Sequence, residues 1–244
     1  MIPWSREDCE FPSGIRRMSI KIQQEDTDMH LKDRIENGML FYEHGHKDPV
    51  DIAQEQELEA LRRHCKEVMF EYNHTSPADQ EKRQELLKGL LGRCDGRVFI
   101  EDGVHMSYGC HLFLEGSFYA NFNLSVVDDA NIYIGDKTMV GPNVVLCTTG
   151  HPAYPLYREM VAHYSLPIHI GKNVWIGSNA VVLPGVTIGD NSIIGAGSVV
   201  TRDIPADVVA MGSPCRVVRK IDERDREYYF RDMKVDFPYT LREE

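Results

Sequence analysis

The sequence has no apolar run approaching the ~20 residues that a membrane span requires. It also lacks a basic-then-apolar signal pattern at MIPWSREDCEF. It has no excess of basic residues: 38 Asp and Glu against 27 Lys and Arg give a net charge of -11. That balance excludes sequence-independent binding to nucleic acid or to anionic membranes, both of which need a positive field. A local basic pocket remains compatible with it. Paired cysteine spacing is missing as well, because Cys9, Cys65, Cys94, Cys110, Cys147 and Cys215 are scattered. Scattered thiols argue against a disulfide frame or a zinc ribbon and suit a reducing, cytoplasmic setting. What remains, 42% hydrophobic and 27% charged residues, is ordinary globular composition.

The positive signal is a short internal repeat. An aliphatic residue recurs at every sixth position through Ile170, Ile176, Val182, Ile188, Ile194 and Val200. Glycine follows directly at Gly171, Gly177, Gly189 and Gly195, and small or β-branched residues occupy Val174, Ala180, Val186, Ser192 and Ser198. The same beat runs through Ile134, Val140 and Leu146, and earlier through Leu114, Ala120 and Val126, with a two-residue phase slip near Ile132. A period of six fits neither an amphipathic helix nor one alternating strand. It predicts a triangular β-helix in which each hexad is one short strand and about eighteen residues complete a coil. The aliphatic residue stacks inside the prism, and small or polar residues take the corners. The beat does not fix the hand of the coil.

Between Leu146 and Ile170 the beat fails, and CTTGHPAYPLYREMVAHYSLP reads as a loop thrown out of the prism just after His151. Loops on rigid scaffolds are where chemistry tends to sit. Upstream, residues 29–43, 51–71 and 77–91 read as helices, the last starting at Ser76-Pro77-Ala78-Asp79. HGHKDPV, at 44–50, reads as a turn. Four segments follow: a mobile extension over 1–28, a helical segment over 29–93, the β-helix over 94–204 with its excursion at about 147–167, and an extended finish with a charged helix or tail over 205–244.

FYANFNLSVVDD, the Gly150-His151-Pro152 triplet, PIHIGKNVWIGSNAVVLPGVTIGDNSIIGAGSVVTRDIP and VVAMGSPCRVVRKI together resemble the galactoside and maltose O-acetyltransferases, the galactoside enzymes most of all. The likeness runs from about residue 29 to about residue 236. It implies a left-handed parallel β-helix, a homotrimer with active sites between subunits, acetyl-CoA as donor, and a sugar hydroxyl as acceptor. It makes His151 the general base, a task that suits an imidazole near neutrality. The resemblance gives the backbone N–H of Ser178 to the thioester oxyanion, and Ser107, Asn121 and Asp129, with Tyr119 nearby, to the sugar. CoA phosphates must be met with local positive charge in an acidic protein, and Arg202, Arg216, Arg219 and Lys220 cluster at the end of the coil against the overall sign; the resemblance adds Ala196 and Thr201 along the pantetheine arm.

Two positions depart from the relatives. Glu43 stands where the galactoside enzymes have an aspartate that contacts sugar, and His163 precedes Tyr164 where a methionine is expected. Both fall on the acceptor half of the site. No metal is expected, although His151, His163 and His169 offer a rival zinc reading on the same coil. A second rival keeps fold and donor but takes an amino-sugar or antibiotic acceptor.

Overall fold

The computed structural model describes residues 29–236; the extension over 1–28 and residues 237–244 lie outside the described part. Short strands stack in parallel into three faces of a prism. The first face holds Arg93–Cys94, Leu112–Leu114, Ile132–Ile134, Ile168–Ile170 and Thr187–Ile188. Val98–Ile100, Phe118–Ala120, Thr138–Val140, Trp175–Ile176, Ile193–Ile194 and Val208–Met211 build the second, on which Arg216–Lys220 folds back antiparallel. The third comprises His105–Met106, Ser125–Val127, Val145–Cys147, Val181–Val182 and Val199–Val200. The chain visits the faces in that order, so each coil hydrogen-bonds to the coils before and after it.

The aliphatic beat fills the interior. Ile134, Leu146, Ile176, Val182, Ile194 and Val200 are all 1% exposed or less and belong to one continuous core. Two edges owe their regularity to left-handed backbone. Between the second and third faces, Asn123, Asn143 and Asn179 have φ of 61°, 57° and 60°. Asn tolerates this conformation better than most residues. Their side chains form a ladder, with Asn123 Nδ2 donating to Asn143 Oδ1 at 2.9 Å and Asn143 Nδ2 to Asn179 Oδ1 at 3.2 Å. Asn173, Asn191 and Asp207 repeat the device between the first and second faces.

The third edge, from the third face back to the first, is irregular, and this corrects the eighteen-residue coil. Leu112 pairs with Ile132 and Phe118 with Thr138, so the early coils are twenty residues long. Later ones, with Trp175 opposite Ile193 and Val181 opposite Val199, are eighteen. From Leu114 to Ala120 to Val126 the step is six, and the extra two residues fall between Val126 and Ile134, in the corner that carries Asp128 and Asp129. The phase slip is therefore a widened corner. One coil later the same corner opens into the long excursion, closed at its base where Thr149–Gly150 pairs antiparallel with Tyr164–Ser165. A Cβ on Gly150 would lie 2.6 Å from the Tyr164 ring, so a larger residue there would have to displace that ring.

The helices differ in extent from the sequence expectation. α1 is only Leu31–Glu36, because Gly38 turns the chain at φ 64° and residues 39–43 run on to pair with the loop. α2, Pro49–His74, begins at an Asp48 cap with Pro49 in its first turn, a start hidden in the stretch read as a turn. α3 is Gln80–Leu90, capped by Asp79. α2 turns Leu58, Cys65, Met69 and Tyr72 inward and caps the first coil. Tyr72 Oη donates to the Ile100 carbonyl at 2.7 Å, and Asn73 bonds the backbone of Gly103 and Val104. These contacts satisfy an edge that would otherwise expose unpaired backbone. The finish over 221–236 is a short helix, Glu223–Glu227, followed by a small hairpin. Among the described residues no helix is long and apolar enough to cross a membrane, and the five cysteines are free thiols.

Candidate active site

The irregular edge gathers the polar groups. His151 leaves the prism after the Thr149–Gly150 pair, and its Nδ1 faces the Ala162 carbonyl at 2.9 Å. A carbonyl can only accept, so Nδ1 carries the proton and Nε2 keeps a free lone pair. The imidazole is thus held in the tautomer a base needs. Thr149 Oγ1 donates to Asp129 Oδ2 at 2.7 Å and lies 3.1 Å from Ser165 Oγ. Asp129 and Ser165 in turn line an open cleft of about 540 Å³ between α1, α2 and the first face, together with Leu61, Asn131 and Tyr133.

Glu43 lies deeper, 12% exposed, and its carboxylate is enclosed by cations. Arg62 Nη2 sits 2.7 Å and 2.8 Å from its two oxygens, Tyr108 Oη is 3.3 Å away, and His163 Nε2 is 3.6 Å away. Burial by itself raises the Glu43 pKa, but His163 and Arg62 outweigh it and hold the group at about 2. Arg62 also donates to Tyr108 Oη, and its Nη2 is 3.9 Å from Asp129. Glu43, Asp129 and His163 bring ligand atoms within 4.8 Å of one another. Arg62 Nη2 lies beside two members of this group, against Glu43 and 3.9 Å from Asp129. His169 faces out from the first face, stacked on Tyr133 at 4.9 Å, while His151 meets His163 edge-on at 5.7 Å. The three histidines of the zinc reading therefore do not share one site.

Of the expected residues, Glu43, Ser107, Asp129, His151, Thr201 and Arg202 fall at this edge. Ser107 follows the third-face strand His105–Met106, and its N–H is 3.0 Å from buried Asp128. Tyr119 lies on the outside of the second face, stacked on Phe99 at 5.9 Å. Asn121 and Ser178 occupy the turns between the second and third faces, another edge of the prism. Ser178 precedes left-handed Asn179 in a turn closed by Ala180 N–H on the Gly177 carbonyl at 3.3 Å. Exposed Ala196 sits one coil further along that edge, where Gly197 N–H reaches the Ser178 carbonyl. Thr201 and Arg202 are exposed after Val199–Val200, on the edge that carries His151. Arg216 and Arg219 lie on the exposed return strand, and Arg219 is engaged bidentately by Asp225 at 2.6 Å and 2.7 Å.

The sequence reading missed Arg62 and Tyr108. A signal existed for the first: Arg62 falls in helical phase with Leu58, Cys65 and Met69, so a charged residue interrupts the inward stripe of α2.

A parallel β-helix built of hexads, with an oriented imidazole at its one interrupted edge, defines a hexapeptide-repeat acyltransferase. Residues 167–202 match the bacterial transferase hexapeptide family (six repeats), and residues 51–96 match the maltose acetyltransferase hexapeptide capping motif. The galactoside O-acetyltransferase of Escherichia coli is 47% identical over 208 residues, covering 85% of this chain and 98% of that protein. That of Lactococcus lactis is 39% identical over 196 residues, covering 80% and 95%. A solved galactoside acetyltransferase in complex with coenzyme A superimposes with a TM-score of 0.76 at 42% identity, covering 86% of this chain and 100% of that one. A maltose O-acetyltransferase from Clostridium difficile superimposes at 0.72 and 38%, covering 80% and 99%. The chain belongs to the galactoside and maltose O-acetyltransferase family, and it is an acetyltransferase.

Proposed function

We propose that the protein moves the acetyl group of acetyl-CoA directly to a hydroxyl of a galactoside, maltose or related sugar, with His151 as general base. The observation that carries this is the His151 tautomer: Nδ1 is committed to the Ala162 carbonyl, so Nε2 is left to act as a base. Nε2 takes the proton of the acceptor hydroxyl as its oxygen attacks the thioester carbon. The oxyanion so formed accepts from the Ser178 N–H. Collapse breaks the C–S bond, and the departing sulfur recovers the proton from His151, leaving the ester and free CoA thiol.

The fold argues that this site is shared. Asn121, Ser178 and Ala196 lie on one edge of the prism, and Ser107, Asp129 and His151 lie on the next. One chain therefore carries two half-sites. Packing the His151 edge of one protomer against the Ser178 edge of another joins them, and repeated around a three-fold axis this gives a homotrimer with three sites. Exposed Ala196, Thr201 and Arg202 leave a path for the pantetheine arm, and Arg216 and Arg219 offer charge for its phosphates.

The glycosidic acceptor is supported by the names of the relatives, the donor by their complexes with coenzyme A and acetyl-CoA. A cytoplasmic setting agrees with the free thiols. The test is thiol release from acetyl-CoA, screened against galactosides, maltose, glucosamine and free amines. Ester formation on the sugars supports the reading, whereas turnover with amines alone replaces it with the amino-acceptor alternative.

A further inference from the structure

We infer that His163 is a positioning residue: a buried imidazolium, clamped between the Glu43 carboxylate and the Val161 carbonyl, that fastens the loop end from which Ala162 orients His151. The inference rests on the proposed role of His151 and adds a second histidine with a different task.

The protonation follows from what the ring faces. His163 Nδ1 lies 3.1 Å from the Val161 carbonyl, and Nε2 lies 3.6 Å from Glu43 Oε1. Both neighbours are acceptors. A neutral ring protonated at Nδ1 would turn the Nε2 lone pair on a carboxylate, and the other tautomer would turn a lone pair on a carbonyl. Only the doubly protonated ring suits both. The wider surroundings agree: Arg62 from α2 and Tyr108 contact Glu43, Asp129 faces in from the widened corner, and the His151 ring is 5.7 Å away. Burial pulls the His163 pKa down, but Glu43, the Val161 carbonyl and Asp129 outweigh it and leave the group above the ordinary imidazole value.

The clamp reaches His151 through one residue. His163 exchanges both backbone hydrogen bonds with Phe41, at 2.8 Å and 2.9 Å, and packs its ring against Phe41 at 4.1 Å. Ala162, whose carbonyl fixes the His151 tautomer, is the preceding residue and is 2% exposed. The returning end of the excursion is thus fastened to residues 41–43 by a β-bridge and an ion pair. Loss of the His163 proton removes the second and leaves the first, so the Ala162 carbonyl loosens without the fold opening.

The trimer is compared as parent, His163→Met and His163→Gln, reading kcat/KM for the acceptor against pH, with KM for acetyl-CoA alongside. The parent profile should be bell-shaped, with the descending limb set by His163. In both variants the plateau should fall about 10-fold, that limb should disappear, and KM for acetyl-CoA should stay unchanged. An NMR titration of the His163 ring, which needs no turnover, should give a midpoint above ~6.5 in the parent and a lower one in Glu43→Gln. A descending limb that persists in His163→Met, or a His163 midpoint unmoved by Glu43→Gln, overturns the inference. If His151→Ala turned over like the parent, the base assignment would fail instead, and the ring titration would still judge the clamp.

Discussion

Replacing Arg62 by methionine keeps the aliphatic bulk on α2 and removes the cation that faces Glu43. Glu43 moves from 4.5 to about 2 in the folded protein, and at ~1.4 kcal/mol per unit the ionised group contributes about 3 kcal/mol to stability. Arg62 makes the two short contacts, at 2.7 Å and 2.8 Å, and His163 one longer one. His163 and Arg62 share that contribution, and removing Arg62 should cost about 2 kcal/mol, between the 3–5 of a fully buried broken pair and the ~1 of an exposed one. The sign follows from the direction of the shift. A depressed carboxylate contributes its stability above its unfolded value and loses it as pH falls toward its folded value. The deficit of Arg62→Met should therefore be full near neutrality and shrink as pH drops from 4.5 toward 2. Denaturant midpoints of the two proteins at one fixed concentration measure it. A deficit under about 0.5 kcal/mol at neutral pH, or one undiminished in acid, would refute the reasoning.

His151→Ala should keep assembly and CoA binding while acetyl transfer drops by about 10²–10⁴, as single-turnover kinetics with equilibrium CoA binding would report. Arg216→Ala should raise KM for acetyl-CoA more than KM for the sugar. Arg219→Ala should do the same more weakly, because Asp225 already holds that guanidinium; an effect confined to the sugar would displace CoA from this strand. Leu146→Ala opens the column between Val126 and Val182 and should cost about 3 kcal/mol in chemical denaturation. Asn179→Val places a β-branched residue at φ 60°, and should lower the thermal midpoint more than Asn131→Val at a neighbouring corner.

The β-helix was legible because it is a local code. Each aliphatic residue stacks on its equivalent one coil away, so the period of the fold is written directly as a period of the sequence, from Ile170 to Val200. The excursion was legible for the opposite reason: Pro152, Pro155, Arg158 and Glu159 suit no stacked coil. The capping helices were less so. α2 begins at Pro49 after its Asp48 cap, inside a segment rich in turn formers, and α1 ends early because Gly38 and the Phe41 bridge compete with its helical pattern.

The site divides along the same line. His151, at the break in the beat, could be picked out by position, whereas Asp129 came from the resemblance to relatives. The phase slip that marked its corner as wider than the others was visible but carried no chemical meaning in one dimension. Glu43, Arg62, Tyr108 and His163 come from four separate segments. That Arg62, Tyr108 and His163 enclose the Glu43 carboxylate is decided only when the helices dock on the first coil. The sequence determined the repeat, because stacking is a relation between neighbours a coil apart. Tertiary structure determined the charge state of the site, because a side chain's proton depends on whichever acceptors folding places around it.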